Sequence, residues 1–344
     1  MVTVPVTHWS IVGNRSKPKR ASLEDTDGLE LLDGLPREFR SRLSTMLDET
    51  TLRAVVESFD VQKKTTFRIN TLLADPNETI DELQQLGVDP QPVGWCDHAF
   101  WVEADDRDRL TYATAAVNGR IYIQGLSSIL ATLVLDPQPG EWNLDLAAAP
   151  GGKSTHIVAR MQNQGKLSVV EPVRKRMFRL ADNLKRLGSQ ISRTYLMDGR
   201  KVGQKVPDRF DRVLLDAPCS SEARMRTSDP KTTQFWSPRK IREQSRKQLG
   251  LIESAFQSLK PGGTLLYCTC SFAPEENEAI VSALLDRMEG EAVLLDLDLP
   301  IDNWQPGLPS FGELQFHPSI ARCRRILPNS LFDAFFMGKI RKAV

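Results

Sequence analysis

The sequence has no apolar run near the ~20 residues that a membrane-spanning helix needs, and its first residues lack the basic-then-apolar layout of an export signal. A cytoplasmic protein without membrane contact is the expectation. Cysteine is scarce, with five in 344 residues: Cys96, Cys219, Cys268, Cys270 and Cys323. An odd count without an export signal argues against a disulfide framework. There are only four histidines, and Cys268-Thr269-Cys270 is too tightly spaced for the usual zinc pair, so no metal site is expected. Charge of one sign is missing too: 45 Lys and Arg against 44 Asp and Glu leave a formal net charge of +1. Overall charge therefore gives no sign of a nucleic-acid partner. The one local basic run, Asn14-Arg15-Ser16-Lys17-Pro18-Lys19-Arg20, reads as a solvated tail at least as readily as a phosphate contact.

What is present is an ordinary globular balance, 40% hydrophobic and 26% charged, in a chain long enough for a large α/β domain and a smaller one. Residues 1–30, polar and basic with no sustained period, are expected to be a flexible, basic lead-in. Between 31 and 118, Phe39, Leu43 and Met46, then Leu52, Val55 and Val56, recur at helical spacing, ahead of strand-like stretches at 65–72 and 98–102 and a helix at 79–86. This is expected to be a small α+β domain. From 119 to 344 the texture changes. Apolar runs at 142–147, 167–170, 194–197, 212–215 and 264–268 are separated by helical stretches, clearest at 173–187 and 238–259. Such alternation specifies a mostly parallel sheet with helices on both faces, whose ligands bind beyond the carboxyl ends of the strands.

Four loops leave those ends. The first, Ala147-Ala148-Ala149-Pro150-Gly151-Gly152-Lys153, has small residues that let a ligand approach the backbone and glycines that permit unusual angles. It fits neither the Walker phosphate loop nor the G-x-G-x-x-G fingerprint, which leaves a tight strand-to-helix turn or the seat of another cofactor. Glu171 ends the next strand, where a carboxylate can accept from both hydroxyls of a ribose. Asp198 ends the third, either as an acceptor for an adenine amino group or as a turn residue before Gly199. Asp216-Ala217-Pro218-Cys219-Ser220 and Thr269-Cys270-Ser271 each place a cysteine in a polar loop just past a strand. Cys268, within its strand, reads as a small buried hydrophobe. Two thiols and a carboxylate beside a cofactor loop are an uncommon combination and mark the candidate active site.

At these residues the chain resembles the Sun (NSUN-type) family of RNA 5-methylcytosine methyltransferases. Ala148 to Lys153 resemble its cofactor loop, and the loops of Cys219 and Cys270 its two cysteine motifs. Pro274-Glu275-Glu276-Asn277-Glu278 follows the second motif as it does in the family. Fainter echoes lie at Phe67-Arg68-Ile69-Asn70-Thr71, Tyr122-Ile123-Gln124 and Arg325-Ile326-Leu327-Pro328. Two departures stand out: Ser221-Glu222 where the family commonly has glycine, and Asp333-Ala334-Phe335 for Asp-Gly-Phe. The resemblance implies a Rossmann-like class I methyltransferase sheet that binds S-adenosylmethionine through Ala147 to Lys153, Glu171, Arg176, Asp198 and Asp216. It also implies RNA as the partner of a monomeric enzyme, with residues 31–118 as an RNA-positioning domain.

The implied reaction needs these residue types. Carbon 5 of cytosine is too poor a nucleophile to attack a sulfonium methyl unaided; a thiolate adding to carbon 6 enriches it. A free thiol has a pKa of about 8.5, so a nearby positive charge must raise the thiolate fraction. Chemistry alone leaves open which cysteine attacks, since Pro218-Cys219 matches the nucleophile motif of DNA cytosine-C5 methyltransferases. The family resemblance assigns attack to Cys270 and product release to Cys219. Asp216 is then expected on ring nitrogen 3, and Lys153 on the substrate or the thiolate. Ribosomal RNA is the expected substrate, with transfer RNA the alternative. A silent RNA-binding assembly factor is a third reading, opposed by the joint presence of Lys153, Asp216, Cys219 and Cys270. Arg174, Lys175, Arg179, Lys185, Arg186, Arg239, Lys240 and Arg242 can meet phosphates, though most are expected simply to coat outer helix faces.

Overall fold

A computed structural model describes residues 34–344; the lead-in at 1–30 and its basic run lie outside the described residues. Two amphipathic helices come first, α1 (Arg37–Met46) and α2 (Glu49–Glu57), the second capped by Asp48, which accepts from the Thr51 amide at 3.0 Å. Then follow β1 (Thr65–Ile69), α3 (Pro76–Gln85), β2 (Gln91–Val93), β3 (Cys96–Val102), α4 (Arg107–Tyr112), α5 (Thr114–Val117) and β4 (Ile121–Ile123). The four strands make an antiparallel sheet ordered β2-β3-β1-β4 over a core of Phe67, Ile69, Leu83, Val102 and Ile121.

The small domain differs from expectation at both ends. β4 pairs with β1, Ile69 opposite Ile121, so its sheet runs past the break read at 118. The helices α1 and α2 do not cover this sheet. Phe39, Leu43, Val55 and Phe59 pack instead with Ala223, Met225 and Phe272, from the loops that follow the two cysteine motifs. Amphipathic spacing shows that a helix has a buried face, not which surface buries it.

The larger domain runs through α6 (Leu126–Leu135), β5 (Trp142–Asp145), α7 (Gly152–Arg160), β6 (Lys166–Val170), α8 (Arg174–Arg186), β7 (Ser192–Tyr195), α9 (Val202–Lys205), β8 (Phe210–Asp216), α10 (Pro238–Ser258) and β9 (Leu259–Thr269). It ends with α11 (Glu278–Arg287), β10 (Ala292–Leu295), β11 (Trp304–Pro306), β12 (Ser310–Phe311), β13 (Leu314–Gln315), β14 (Arg324–Ile326) and β15 (Phe335–Lys342). The large sheet is ordered β11-β14-β15-β9-β8-β5-β6-β7, with β10 also on β15. The run β9-β8-β5-β6-β7 is parallel and the strands beyond β9 are antiparallel. One face packs Ile157, Leu180, Leu167 and Val169; the other packs Leu144, Val213, Ile252 and Phe256. Burial on both faces is why the central strands read as continuous apolar runs. β7 lies two residues earlier than the 194–197 expected: it is a largely exposed edge strand placed by pairing with β6, with little apolar signal of its own.

The order reverses between β5 and β8, which makes their carboxyl ends the topological switch point. Arg68 and Asn70 of the small sheet join this region. Buried Arg68 donates to Gln124 and to Thr155 Oγ1, both at 2.9 Å, and Asn70 donates to the carbonyls of Gly119 and Leu187 at 2.9 and 3.0 Å.

Candidate active site

β5 ends in Asp145 and the chain turns through Ala147 to Gly152 into α7. Gly151 has φ +107°, and a Cβ there would lie 2.9 Å from Leu180 Cδ1, so the turn requires glycine. Arg176 donates to the Ala149 carbonyl at 2.8 Å and lies 3.5 Å from Glu171. It thus braces the turn against the strand-end carboxylate, which is itself buried and accepts from the Val173 amide at 2.9 Å. Asp145, which sequence reasoning passed over, is buried, and burial lifts its carboxyl to about 6. One of its oxygens accepts from Ser154 at 2.6 Å and the other has no partner within the protein. An open glycine turn flanked by the acceptors Asp145 and Glu171 fits a donor-rich cofactor such as S-adenosylmethionine. Asp198 takes the Arg200 amide at 3.0 Å and the Arg200 guanidinium, a turn-forming contact beside Gly199, which packs against the Leu146 carbonyl.

β8 and β9 are parallel neighbours, with Asp216 opposite Cys268, so their loops leave the sheet together. Cys219 and Cys270 meet with sulfurs 3.2 Å apart. Cys268 is fully buried and burial pushes its thiol well up, the inert role expected of it. The hydrogen bond from Cys219 holds the Cys270 thiol below its ordinary value against burial, helped by Arg224 and Ser221. The same bond, burial and the Glu276 carboxylate push Cys219 well up. Of the two thiols, Cys270 is therefore the one whose environment favours loss of its proton. Lys153 reaches neither sulfur of this pair. Its ammonium sits 2.6 Å from Asp216 Oδ2; burial works against its charge, but Asp216 and Cys268 outweigh it and raise its pKa. The cation serving Cys270 is Arg224, which sequence reasoning missed.

Two buried carboxylates lock the cysteine loops. Glu276 accepts from the Ser220 amide at 2.9 Å and from Gln248 at 3.2 Å, and Gln248 also donates to the Pro218 carbonyl at 3.0 Å. Burial lifts Glu276 to about 7. Glu222 accepts from Trp236 at 2.7 Å and from the amides of Phe272 and Ala273 at 2.8 and 2.9 Å. It directly follows Ser221, which has φ +60°. This left-handed residue sits where the related family has glycine, so the departure keeps the backbone bend and adds a tie across to the Cys270 loop. The segment Pro274-Glu275-Glu276-Asn277-Glu278 is the scaffold of the site. Asn277 donates to the Ser271 carbonyl at 2.8 Å, and Glu278 pairs with Arg325, itself bound to the Phe272 carbonyl at 2.9 Å.

Among the basic candidates, Arg186 is engaged at the domain joint, donating to the Ala116 carbonyl at 2.6 Å, and is not free for phosphate. Arg174, Lys175, Arg179 and Lys185 are exposed along α8, and Arg239 and Arg242 on α10; half-buried Lys240 faces Glu243 at 3.6 Å. Among the described residues no group of side chains has metal-binding geometry and no helix is long and apolar enough to cross a membrane.

A doubly covered parallel sheet whose strand order reverses between β5 and β8 is a Rossmann-like fold of the methyltransferase class. Residues 132–341 match the family described as 16S rRNA methyltransferase RsmB/F, and residues 35–125 the N-terminal domain of 16S rRNA methyltransferase RsmF. The chain belongs to this RsmB/F (Sun) family. It is 37% identical over 279 residues to ribosomal RNA small subunit methyltransferase F of Cronobacter sakazakii, covering 80% of this chain and 56% of that protein. The Escherichia coli (strain SMS-3-5) protein of the same name matches at 37% over 280 residues with the same coverage. The chain thus spans little more than half the length of these relatives. Among solved structures, a methyltransferase homolog protein from Pyrococcus horikoshii superposes with a TM-score of 0.79 at 29% identity, over 92% of this chain and 99% of that one. NSun6 from Pyrococcus horikoshii with SFG shares the fold, with a TM-score of 0.75 at 22% identity over 91% and 100%.

Proposed function

We propose that this chain methylates carbon 5 of a cytosine in ribosomal RNA through a transient bond between Cys270 and carbon 6. The carrying observation is the pair of sulfurs 3.2 Å apart beside the Lys153–Asp216 ion pair, at the switch point where the cofactor turn ends. When bound, S-adenosylmethionine supplies a methyl group activated by its sulfonium. Ala147 to Lys153, Glu171 and Arg176 would hold it, with Asp145 as a further acceptor; Asp198 can join only through lone pairs left free by Arg200. Asp216 faces ring nitrogen 3 and passes it a proton from Lys153, neutralising the negative charge that builds there as the Cys270 sulfur adds to carbon 6. The added electron density leaves carbon 5 nucleophilic. After methylation, solvent water takes the carbon 5 proton, the carbon–hydrogen electron pair restores the double bond as the Cys270 sulfur departs with the pair it shared with carbon 6, and the proton on ring nitrogen 3 returns to Asp216. Cys219, with its sulfur 3.2 Å from that of Cys270, is placed to assist that release.

The target base must leave its stack, at a few kcal/mol, less where it is already unpaired. Ribosomal RNA is favoured over transfer RNA because the matching family and relatives are named for the small-subunit RNA. That substrate places the work in the cytoplasm, and every residue of the site comes from one chain, so a monomer suffices. Cys219→Ala should accumulate a protein–RNA adduct that survives denaturation, whereas Cys270→Ala should give neither adduct nor methylation. Interchanged outcomes would reverse the two roles. Bisulfite sequencing of RNA from cells with and without the protein identifies the base; no cytosine differing between them would refute the reading.

A further inference from the structure

The described surface holds a second feature that the reaction does not use. A cleft of about 530 Å³ opens on the sheet face between β5, β6 and β7, at the amino-terminal ends of β5 and β6. The candidate active site lies at the opposite, carboxyl ends, and none of its residues lines the cleft. Between β7 and β8 there is only a 3-10 turn at Gly199–Lys201 and the four-residue α9, and β7 stays largely exposed.

Three cations line this cleft, Lys166, Arg193 and Arg209, and no carboxylate does. Lys166 Nζ lies 4.0 Å and the Arg209 guanidinium 5.0 Å from the ring centroid of Trp142, so one indole holds both charges at the rim. The acids closest in sequence are turned to other cations: Glu141 to Arg212, Asp208 to Lys342 and Asp211 to Lys260. Among the described residues, Lys166, Arg193 and Arg209 are in no salt bridge, although many other charges are paired. Tyr195 lies two residues beyond Arg193, on the same face of β7, with 41% of its surface open.

We propose that the cleft is an RNA-binding exosite, which holds a single-stranded stretch of the substrate RNA away from the target cytosine. Phosphates meet Lys166, Arg193 and Arg209, and a base stacks on Tyr195. Uncompensated cations beside an open aromatic ring are the pairing that single strands use, charge for the backbone and a ring for any base. The proposal rests on the reading of RNA as substrate, but its test does not need methylation.

The probe is a fluorescein-labelled oligouridylate, which has no cytosine to modify, bound to the full chain and followed by anisotropy across salt concentrations. With Lys166, Arg193 and Arg209 all changed to alanine, affinity should fall about tenfold or more, and the slope of log affinity against log salt should shrink by about 2, at about 0.7 per lost phosphate contact on single strands. Tyr195→Ala should weaken binding severalfold and leave the slope unchanged. Cys270→Ala should bind as the wild type does. On a long RNA the triple variant should raise KM and keep kcat. Wild-type affinity and slope in the triple variant would overturn the exosite, as would no binding of the probe by the wild type. A changed oligomeric state with unchanged RNA binding would overturn it in favour of contact between copies. If the wild type methylates no RNA but the binding pattern holds, the reaction reading fails and the exosite stands.

Discussion

Replacing Glu276 with glutamine should flatten the pH dependence of stability. Its carboxyl is fully buried and lifted from 4.5 to about 7, chiefly by burial. The folded protein thus keeps a proton that the unfolded chain releases, and stability is lost as pH climbs from about 4.5 through about 7. At 1.36 kcal/mol per tenfold, the full difference is about 3 kcal/mol, most of it falling between pH 5 and pH 8. In melting temperature that is on the order of 5 °C. Glutamine keeps the size and an oxygen for the Ser220 amide but cannot ionise. Urea unfolding of both proteins at a series of pH values isolates the residue, because all other groups cancel in the difference. The gap between the two curves should move in favour of the variant by about 2 to 3 kcal/mol as pH rises from 5 to 8. Parallel curves would refute the link between burial and the raised carboxyl. Glu276→Ala should also unlatch the Cys219 loop and slow methylation, whereas the glutamine variant retains it.

Arg224→Leu should move the midpoint of Cys270 alkylation by iodoacetamide to higher pH, by up to about one unit, since Arg224 is the cation that favours this thiolate; an unchanged profile would leave the thiolate without its assigned support. Arg325→Met leaves Glu278 charged, buried and unpaired, and should destabilise the protein by about 3 to 5 kcal/mol in urea unfolding. Gly151→Ala forces an alanine to φ +107° against Leu180 and should cost more than about 1 kcal/mol. The same variant should weaken S-adenosylmethionine binding by calorimetry, and unchanged affinity would detach the turn from the cofactor.

Much of the site was legible because its chemistry is carried by short contiguous motifs. The turn Ala147 to Lys153, the strand-end acid Glu171 and the loops of Cys219 and Cys270 follow apolar runs whose alternation already places them on one edge of a sheet. Departures were legible as departures: Ser221-Glu222 was visible, although nothing in the sequence said that the acid would be buried across from Phe272. Asp145 had the same signal as Glu171, an acid ending a strand, and was missed because the glycine turn beside it drew the reading. Glu276 and Asn277 were visible as a motif without a task.

By itself the sequence determined the strands that bury both faces, the glycine turn and the residue types able to form and break a bond to a pyrimidine, since these depend on neighbours along the chain. Tertiary structure alone decided that Lys153 pairs with Asp216 and not with a thiol, that Arg224 serves Cys270, and that α1 and α2 back the cysteine loops. It also decided that Lys166, Arg193 and Arg209 remain unpaired. Each of these is set by distances between residues remote in sequence, and both a charge's worth and a thiol's proton affinity depend on how close and how buried its neighbours are.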